Sequence, residues 1–229
     1  MAWPRIDWKH LRDDVRFATL RRRGAHHPLT FVRGVTLTVT ALLFAYAYVS
    51  LRFFWILDAV LFPRWRETPV KKPVFVVGNF RSGTTLVFRM LQNDAGATAS
   101  PATWEIYLAP TISQRYAIRG YAIVDSLLGS PGRRVIDKLN DRLRSVPYHP
   151  IDLFEPEEDA GVLMYTWSGF FTWFLFPRAQ HVPECACMDR LPPRRRSIAM
   201  RFYRDIVKKH LYVVERRRPG AAPVYMAKN

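Results

Sequence analysis

The chain has 229 residues, of which 49% are hydrophobic, so it holds enough apolar material for a folded core and is not a disordered tail. Its two cysteines, Cys185 and Cys187, are too few for a disulfide framework or a four-cysteine zinc site, and a reducing compartment is the simplest interpretation. A net charge of +16 predicts an anionic partner, whether nucleic acid, a phospholipid surface or a phosphorylated cofactor.

Residues 1–33 form a polybasic N-terminal segment. Three aspartates interrupt it, and this pattern is not that of a signal peptide. The segment carries eight basic side chains: Arg5, Lys9, Arg12, Arg16, Arg21, Arg22, Arg23 and Arg33.

Residues 34–68 form a hydrophobic segment. Its first 18 positions carry no charge, which is near the lower limit of the ~17–25 residues that cross a bilayer. Basic residues flank both ends, so the charge rule does not orient the segment. We predict a membrane-associating helix or helical hairpin that enters one leaflet, with Arg52 and Trp55 at the interface. The protein would then lie at the cytoplasmic face of a membrane or in the cytoplasm, and the alternative is a buried core helix.

Residues 69–229 are predicted to form the folded domain. Val74–Val77 is a short apolar run typical of a buried parallel strand, and the spacing after it predicts a helix over Thr84–Asp94. Further helices are predicted around Val135–Leu143, over Glu155–Phe176 and from Ile198 to Val214. The last residues, APVYMAKN, predict another strand.

The loop after the first strand keeps part of a nucleotide-binding motif. A triphosphate-binding loop reads G-x-x-x-x-G-K-[ST], and here Gly78, Gly83 and Thr85 keep that frame. Thr84 stands in the lysine position, so the usual contact to a γ-phosphate is missing. Backbone N–H groups at the start of the helix, two threonine hydroxyls and the Arg81 guanidinium remain. These groups suit a terminal phosphate or phosphosulfate bound without a metal.

The stretch FVVGNFRSGTTL resembles the 5′-phosphosulfate-binding loop of sulfotransferases, in which a strand precedes P-[KR]-S-G-T-T and a helix follows. Phe80 replaces the usual proline. The resemblance implies a P-loop-containing nucleoside triphosphate hydrolase-like three-layer α/β fold, and 3′-phosphoadenosine 5′-phosphosulfate (PAPS) as donor with no metal. It also implies that five loop residues contact the donor: Arg81, Ser82, Gly83, Thr84 and Thr85.

Two further stretches resemble a bacterial sulfotransferase family related to the tyrosylprotein sulfotransferases. SPATWEIYLAP resembles its P-x-x-[WY]-E segment, which implies that Glu105 is a catalytic carboxylate. YMAKN resembles the start of its K-[SDN]-P motif, which implies that Lys228 contacts the sulfuryl group and the bridging oxygen, with Arg81 as a further catalytic cation. The acidic run from Glu157 to Asp159 and His149 are alternative bases.

The expected reaction is transfer of a sulfuryl group from PAPS to a hydroxyl or amine acceptor, with desulfated PAP released. The family's 3′-phosphate-binding residues follow the K-[SDN]-P motif, so we expect this sequence to be the N-terminal part of a longer enzyme, with an incomplete parallel sheet and no activity alone. A P-loop nucleotide kinase or NTPase and a basic, non-catalytic membrane-interaction protein are the alternatives. We expect an anionic membrane surface and not nucleic acid as a partner, because the ten basic residues between Arg194 and Arg218 accompany no nucleic-acid-binding motif.

Overall fold

The structure is a computed structural model, and it describes residues 3–19, 30–79, 82–92, 98–147, 150–169, 187–220 and 223–228. The chain divides into two compact units, which are Met1–Phe53 with Gly161–Asp205, and Phe54–Ala160 with Ile206–Asn229. Two long helices, α2 over Phe31–Leu61 and α7 over Pro193–Arg217, each contribute residues to both units.

The first unit is helical in the residues that the structure describes. It contains α1 over Trp8–Thr19, the first part of α2, and short 3₁₀ segments at Asp159–Thr166, which crosses the unit boundary, and Met188–Arg190. The indole nitrogen of Trp167 donates to the Asp14 carboxylate at 2.8 Å, and the Phe44 ring packs edge-on against the Trp167 ring at 4.5 Å. These contacts fix the packing of α1 and α2 within this unit.

Helix α2 confirms the helical part of the prediction for the hydrophobic segment. It is the one helix in the described residues that is long and apolar enough to cross a membrane by length and composition, with a mean hydropathy of 1.7 and 6% of its most apolar window buried.

The predicted interfacial placement of Trp55 is wrong, and that of Arg52 stays a prediction. The Trp55 side chain is fully buried, and the Lys209 ammonium lies 3.2 Å from its ring centroid. Arg52 stacks over the Trp3 ring at 4.9 Å and donates to the Pro4 carbonyl, so this guanidinium is held by the N-terminal segment of its own unit.

The second unit contains a three-stranded parallel sheet. Strands β1 (Val74–Val76), β2 (Thr98–Ala99) and β3 (Val224–Lys228) lie in the order β1-β3-β2. The structure confirms a parallel sheet that contains both predicted strands, and it shows that these two strands pair with each other. The predicted burial of the first strand is wrong, since Val74 and Phe75 are 42% and 44% exposed. Among the described residues β1 pairs with β3 alone, so one of its edges is open.

Among the described residues, four helices lie wholly within the second unit. They are α3 (Thr84–Gln92), α4 (Thr103–Tyr107), α5 (Ile112–Leu127) and α6 (Pro131–Arg144). The first of them, α3, packs against β1 and β3. Helices α3 and α6 match the predicted ones, and α7 matches the predicted Ile198–Val214 helix. Helix α5 was not predicted.

The predicted helix over Glu155–Phe176 is wrong at its start. Pro156 forms an antiparallel bridge with Ala102, and the Glu155 carbonyl accepts from the Thr103 N–H, so the backbone is extended there. A 3₁₀ helix covers Asp159–Thr166, and residues 170–186 lie outside the described ranges.

The α2 and α5 helices meet through one buried carboxylate. Asp58 of α2 accepts hydrogen bonds from the N–H groups of Ile112 and Ser113 at 2.9 and 2.7 Å, at the N-terminus of α5. The Lys209 ammonium of α7 lies 2.9 Å from the same carboxylate. An acidic side chain at a helix N-terminus satisfies N–H groups that have no intrahelical partner, so Asp58 joins three helices at one point.

Candidate active site

In the loop that follows β1, the side chains of two later residues lie close to the first glycine, Gly78. A Cβ atom added to Gly78 would lie 2.6 Å from Cγ2 of Thr84 and 2.7 Å from Oγ of Ser82. Real Cβ atoms do not approach other atoms so closely, so only glycine fits here. This explains why the first glycine of the motif is needed.

The second glycine of the loop sets the start of α3. Gly83 has φ +84°, in the left-handed region that favours glycine. Its carbonyl accepts from the N–H groups of Leu86 and Val87, and the helix begins at Thr84. The N–H groups of Thr84 and Thr85 therefore belong to the first turn, where they have no intrahelical acceptor and favour an anion.

Lys228 brings a positive charge to this loop from β3. In the parallel pairing, Lys228 lies opposite Val76, the last residue of β1. Its Nζ donates to Oγ1 of Thr85 at 3.1 Å, and the lysine is 5% exposed. Because the carboxyl ends of parallel strands share one edge, a lysine ending β3 lies beside the loop that leaves β1. The motif lacks a lysine at position 84. A lysine from another strand, Lys228, instead brings an ammonium to Thr85.

Two carboxylates lie on the other side of the Lys228 ammonium. Oε2 of Glu157 is 3.3 Å and Oε1 of Glu158 is 3.7 Å from Nζ. The Glu158 N–H also donates to Oε2 of Glu157 at 3.0 Å. One strand residue, one loop hydroxyl and two acidic side chains therefore form a small charged cluster, which we call the Lys228 cluster (Thr85, Glu157, Glu158 and Lys228).

Glu105 belongs to a different, buried cluster. Its side chain lies within 3.6 Å of Arg115 Nη1, 3.5 Å of His210 Nδ1 and 3.8 Å of Arg217 Nη2. It also accepts from the Ala102 N–H at 3.2 Å, at the start of α4. We call Glu105, Arg115 and His210 the Glu105 cluster.

The protonation states in the Glu105 cluster follow from burial and charge. Burial acts to raise the pKa of Glu105, but the nearby Arg115 guanidinium and other cations outweigh it, so this pKa lies below its ordinary value. Burial and Arg115 lower the pKa of His210 to about 4, against an upward pull from Glu105. His210 is therefore neutral near pH 7, and Arg115 is the cation that keeps Glu105 ionised.

The structure thus brings Thr85 and Lys228 together and gives Glu105 separate partners. Arg81 and His149 lie outside the described residues, so nothing is said of their positions. Sequence reasoning missed Arg115 and His210, which lie on α5 and α7 and meet Glu105 only through the fold. No local pattern around Arg115 marks it as a partner of a residue ten positions earlier.

Comparison with known proteins identifies the family. A family model described as "Sulfotransferase family" matches residues 73–192, which are 120 of the 229 residues and include the loop, Glu105 and Glu157. No curated protein matched the sequence.

Two crystal structures share the fold at low sequence identity. Sulfotransferase STF1 from Mycobacterium tuberculosis H37Rv superposes with a TM-score of 0.63 at 17% identity, over 97% of this chain and 54% of that one. Sulfotransferase STF9 from Mycobacterium avium gives a TM-score of 0.55 at 16% identity, over 98% of this chain and 56% of that one.

The chain therefore spans about half the length of these solved structures, and its predicted dependence on a further C-terminal region stays a prediction. The parallel sheet and the glycine-bounded loop agree with the P-loop-like α/β fold of such enzymes. The family match and the shared fold together establish that this chain belongs to the sulfotransferase family.

Proposed function

We propose that the protein transfers a sulfuryl group from PAPS to a hydroxyl or amine acceptor, with the loop over Ser82–Thr85 binding the 5′-phosphosulfate. One observation carries this proposal: the Lys228 ammonium lies 3.1 Å from the hydroxyl of Thr85 at the start of α3. This arrangement puts a lysine, backbone N–H groups and threonine hydroxyls around one point.

These groups fit a phosphosulfate. The side chains of Ser82 and Thr84 pack closely over Gly78, which has no side chain of its own. The loop backbone can therefore lie close to a bound phosphosulfate. The loop N–H groups and hydroxyls bind the phosphate oxygens, and Lys228 neutralises charge that develops on the oxygen bridging phosphorus and sulfur. Arg81, within the same loop sequence, supplies a second cation in this proposal.

The alternative of a nucleotide kinase or NTPase requires a different arrangement. Those enzymes place a lysine directly after the second glycine, where this chain has Thr84, and hold magnesium with the next hydroxyl. Here the hydroxyl of Thr85 accepts from Lys228, and a cation at that oxygen disfavours a magnesium ion beside it.

Calorimetry on the full-length protein tests the proposal. We expect PAP, the desulfated donor, to bind without magnesium, and ATP with magnesium to bind far more weakly. Tight magnesium-dependent ATP binding with no PAP binding would overturn the proposal and favour the kinase. Absence of both nucleotides from the site, together with normal membrane binding, would favour the non-catalytic alternative.

We also propose that α2 lies on an anionic membrane with one face in a single leaflet. Along residues 31–50 its half-buried positions recur every three to four residues, including Leu37, Thr40, Phe44 and Tyr48, so one side of the helix faces protein. The opposite side is apolar and exposed, with Leu42, Tyr46 and Val49 each at least 66% exposed. A one-sided apolar helix with basic flanks suits the surface of an anionic bilayer. The protein would then act at the cytoplasmic face of a membrane.

A further inference from the structure

Sulfuryl transfer to a hydroxyl requires a group that takes the acceptor proton near the sulfur. The acceptor oxygen becomes more acidic as it bonds to sulfur, so a carboxylate within hydrogen-bond reach accelerates the step. Lys228 is the proposed contact to the sulfuryl group as well as to the bridging oxygen, so a carboxylate near Lys228 lies near the sulfur that the acceptor oxygen attacks. The described carboxylates can be compared on this criterion.

Glu105 is already committed to structural contacts. Its side chain is 8% exposed and contacts Arg115, His210 and Arg217, and it also accepts from the Ala102 N–H at the start of α4. Arg115 and Arg217 lie against its Oε1, and His210 and the Ala102 N–H lie against its Oε2, so both of its oxygens are engaged. Burial acts to raise its pKa, but Arg115, His210 and the Ala102 N–H hold that pKa below its ordinary value. This is the pattern of a helix-capping, ion-paired carboxylate.

Glu157 has the geometry that Glu105 lacks. Its Oε2 is 3.3 Å from the Lys228 ammonium and accepts from the Glu158 N–H at 3.0 Å. Both contacts fall on one oxygen, so they orient the carboxylate and leave Oε1 as the oxygen able to receive a proton. The side chain is 17% exposed, so it is held by the protein and open enough to meet a substrate.

We propose, on the basis of the function proposed above, that Glu157 is the general base of the sulfuryl transfer. The acceptor O–H proton passes to the Glu157 carboxylate as the acceptor oxygen bonds to sulfur. The bond between sulfur and the bridging oxygen breaks, and its electron pair stays on the phosphate oxygen of PAP beside Lys228. The carboxylic acid of Glu157 then releases the proton to solvent.

The choice between Glu157 and its neighbour follows from distance and exposure. Oε1 of Glu158 is 3.7 Å from Nζ of Lys228, and its side chain is 31% exposed. Glu158 therefore contributes to the negative potential around the ammonium, and its backbone N–H orients Glu157.

The test compares Glu157→Gln with Glu105→Gln in the full-length protein, with Glu155→Gln as the matched control because Glu155 is an exposed glutamate two residues away. For Glu157→Gln we expect kcat to fall roughly 10²–10³-fold, within the range for loss of a general base, with PAP affinity within about twofold of wild type. Glu157→Asp should restore part of kcat.

The outcomes separate this inference from the proposed function. PAP binding in every variant with near-normal kcat in Glu157→Gln would overturn the role of Glu157 and leave the sulfotransferase proposal standing. A parallel loss of kcat and PAP affinity in Glu157→Gln would make Glu157 a positioning residue for Lys228 and overturn its role as base. A loss of kcat of that size in Glu105→Gln, with unchanged PAP affinity and thermal stability, would assign the base to Glu105. Absence of PAP binding in the wild type would instead remove the proposed function itself.

Discussion

Asp58 and Lys209 form an ion pair in which both side chains are closed off from solvent, with Oδ2 and Nζ 2.9 Å apart. Because Asp58 also accepts from two N–H groups of α5, removing its carboxylate takes the 2.9 Å counter-charge from a buried ammonium and the acceptor from the N–H groups of Ile112 and Ser113. We expect Asp58→Ala to lower the free energy of unfolding by about 3–5 kcal/mol, the usual cost of breaking a buried pair on one side. Thermal and urea unfolding of the full-length protein measure this.

The exposed ion pair between Arg133 and Asp137 provides the control for that experiment. It has a similar length, 2.8 Å, but its side chains are 61% and 47% exposed. Asp137→Ala should change stability by about 0.5 kcal/mol or less. Equal losses in the two variants would contradict the structural role given to Asp58.

Replacing Gly78 should damage the loop with little effect on the rest of the fold. In Gly78→Ala the new methyl group requires the side chains of Ser82 and Thr84 to move away, which displaces groups of the proposed donor-binding loop. We expect PAP affinity to fall at least tenfold in calorimetry on the full-length protein. Gly120→Ala is the control, since nothing lies within 4 Å of its Cβ position in α5. That variant should bind PAP normally and gain about 0.5–1 kcal/mol of stability, as alanine is the better helix former.

Removing the Lys228 charge should weaken donor binding. Lys228→Met keeps much of the side-chain volume and removes the charge beside Thr85, so we expect PAP affinity and kcat to fall together. Lys138→Met on α6, at an exposed position, should change neither. Normal PAP binding by Lys228→Met would show that the ammonium does not act in donor binding.

His210 should give the protein a defined loss of stability in mild acid. The unfolded chain binds a proton at this residue near its ordinary pKa of 6.5, whereas the folded chain binds it only near its lowered pKa of about 4. The unfolded state therefore holds more protons at this residue between these values, and the contribution of His210 to the free energy of unfolding falls as pH drops from 6.5 to 4. The total for His210 is about 3 kcal/mol, from ~1.4 kcal/mol per pKa unit. Asp14 acts in the opposite sense, because burial raises its pKa to about 6 and the folded chain then gains that proton first.

His210→Asn isolates this effect, because the asparagine amide oxygen can still accept from Arg115 and does not titrate. The free energy of unfolding of the wild type minus that of the variant should therefore fall by about 3 kcal/mol between pH 6.5 and 4, because the Asp14 contribution is present in both proteins and cancels. Below its ordinary pKa of 4.5, Glu105 begins to protonate in the unfolded state, and stability should then fall in both proteins. An unchanged slope in the variant between pH 6.5 and 4.5 would contradict the assignment.

The exposed face of α2 has its own prediction. The double variant Leu42→Lys, Leu43→Lys places two charges in that face, and we expect it to abolish co-sedimentation with phosphatidylserine-containing liposomes. Leu127→Lys changes an exposed leucine at the end of α5 and should leave binding intact. Wild-type binding should weaken as salt rises, because basic residues contribute about 1 kcal/mol each near an anionic surface. Persistent binding by the double variant would remove α2 as the contact.

The sequence allowed prediction of those features that are local. The loop could be predicted because the reason for each glycine lies within a few residues. Gly78 lies close to the Thr84 side chain, and Gly83 has a positive φ. The family and the fold predicted from this loop were confirmed by the comparisons with known proteins. The first strand was expected to be buried because its residues are apolar. Burial also depends on neighbouring strands, and within the described part of the chain β1 has one neighbouring strand, β3.

Contacts between residues distant in sequence could not be predicted from local patterns. Trp55 looks interfacial in a hydrophobic helix, and only the approach of Lys209 shows that it is part of a core. Glu105 has a motif that suggests catalysis, while its partners Arg115 and His210 come from two other helices. The Lys228 cluster was accessible only through a family resemblance, because nothing within the last strand indicates that its lysine reaches Thr85.

The contact between Thr85 and Lys228 joins residues 143 positions apart. During synthesis at roughly 5–20 residues per second, the loop leaves the ribosome many seconds before its lysine is made. A nascent chain can form the glycine turn early, but it has no complete anion site until β3 inserts between β1 and β2. Insertion of the central strand β3 is thus the step that brings the Lys228 charge to the folded loop. Under the proposed function, the affinity for PAP would report on completion of the sheet.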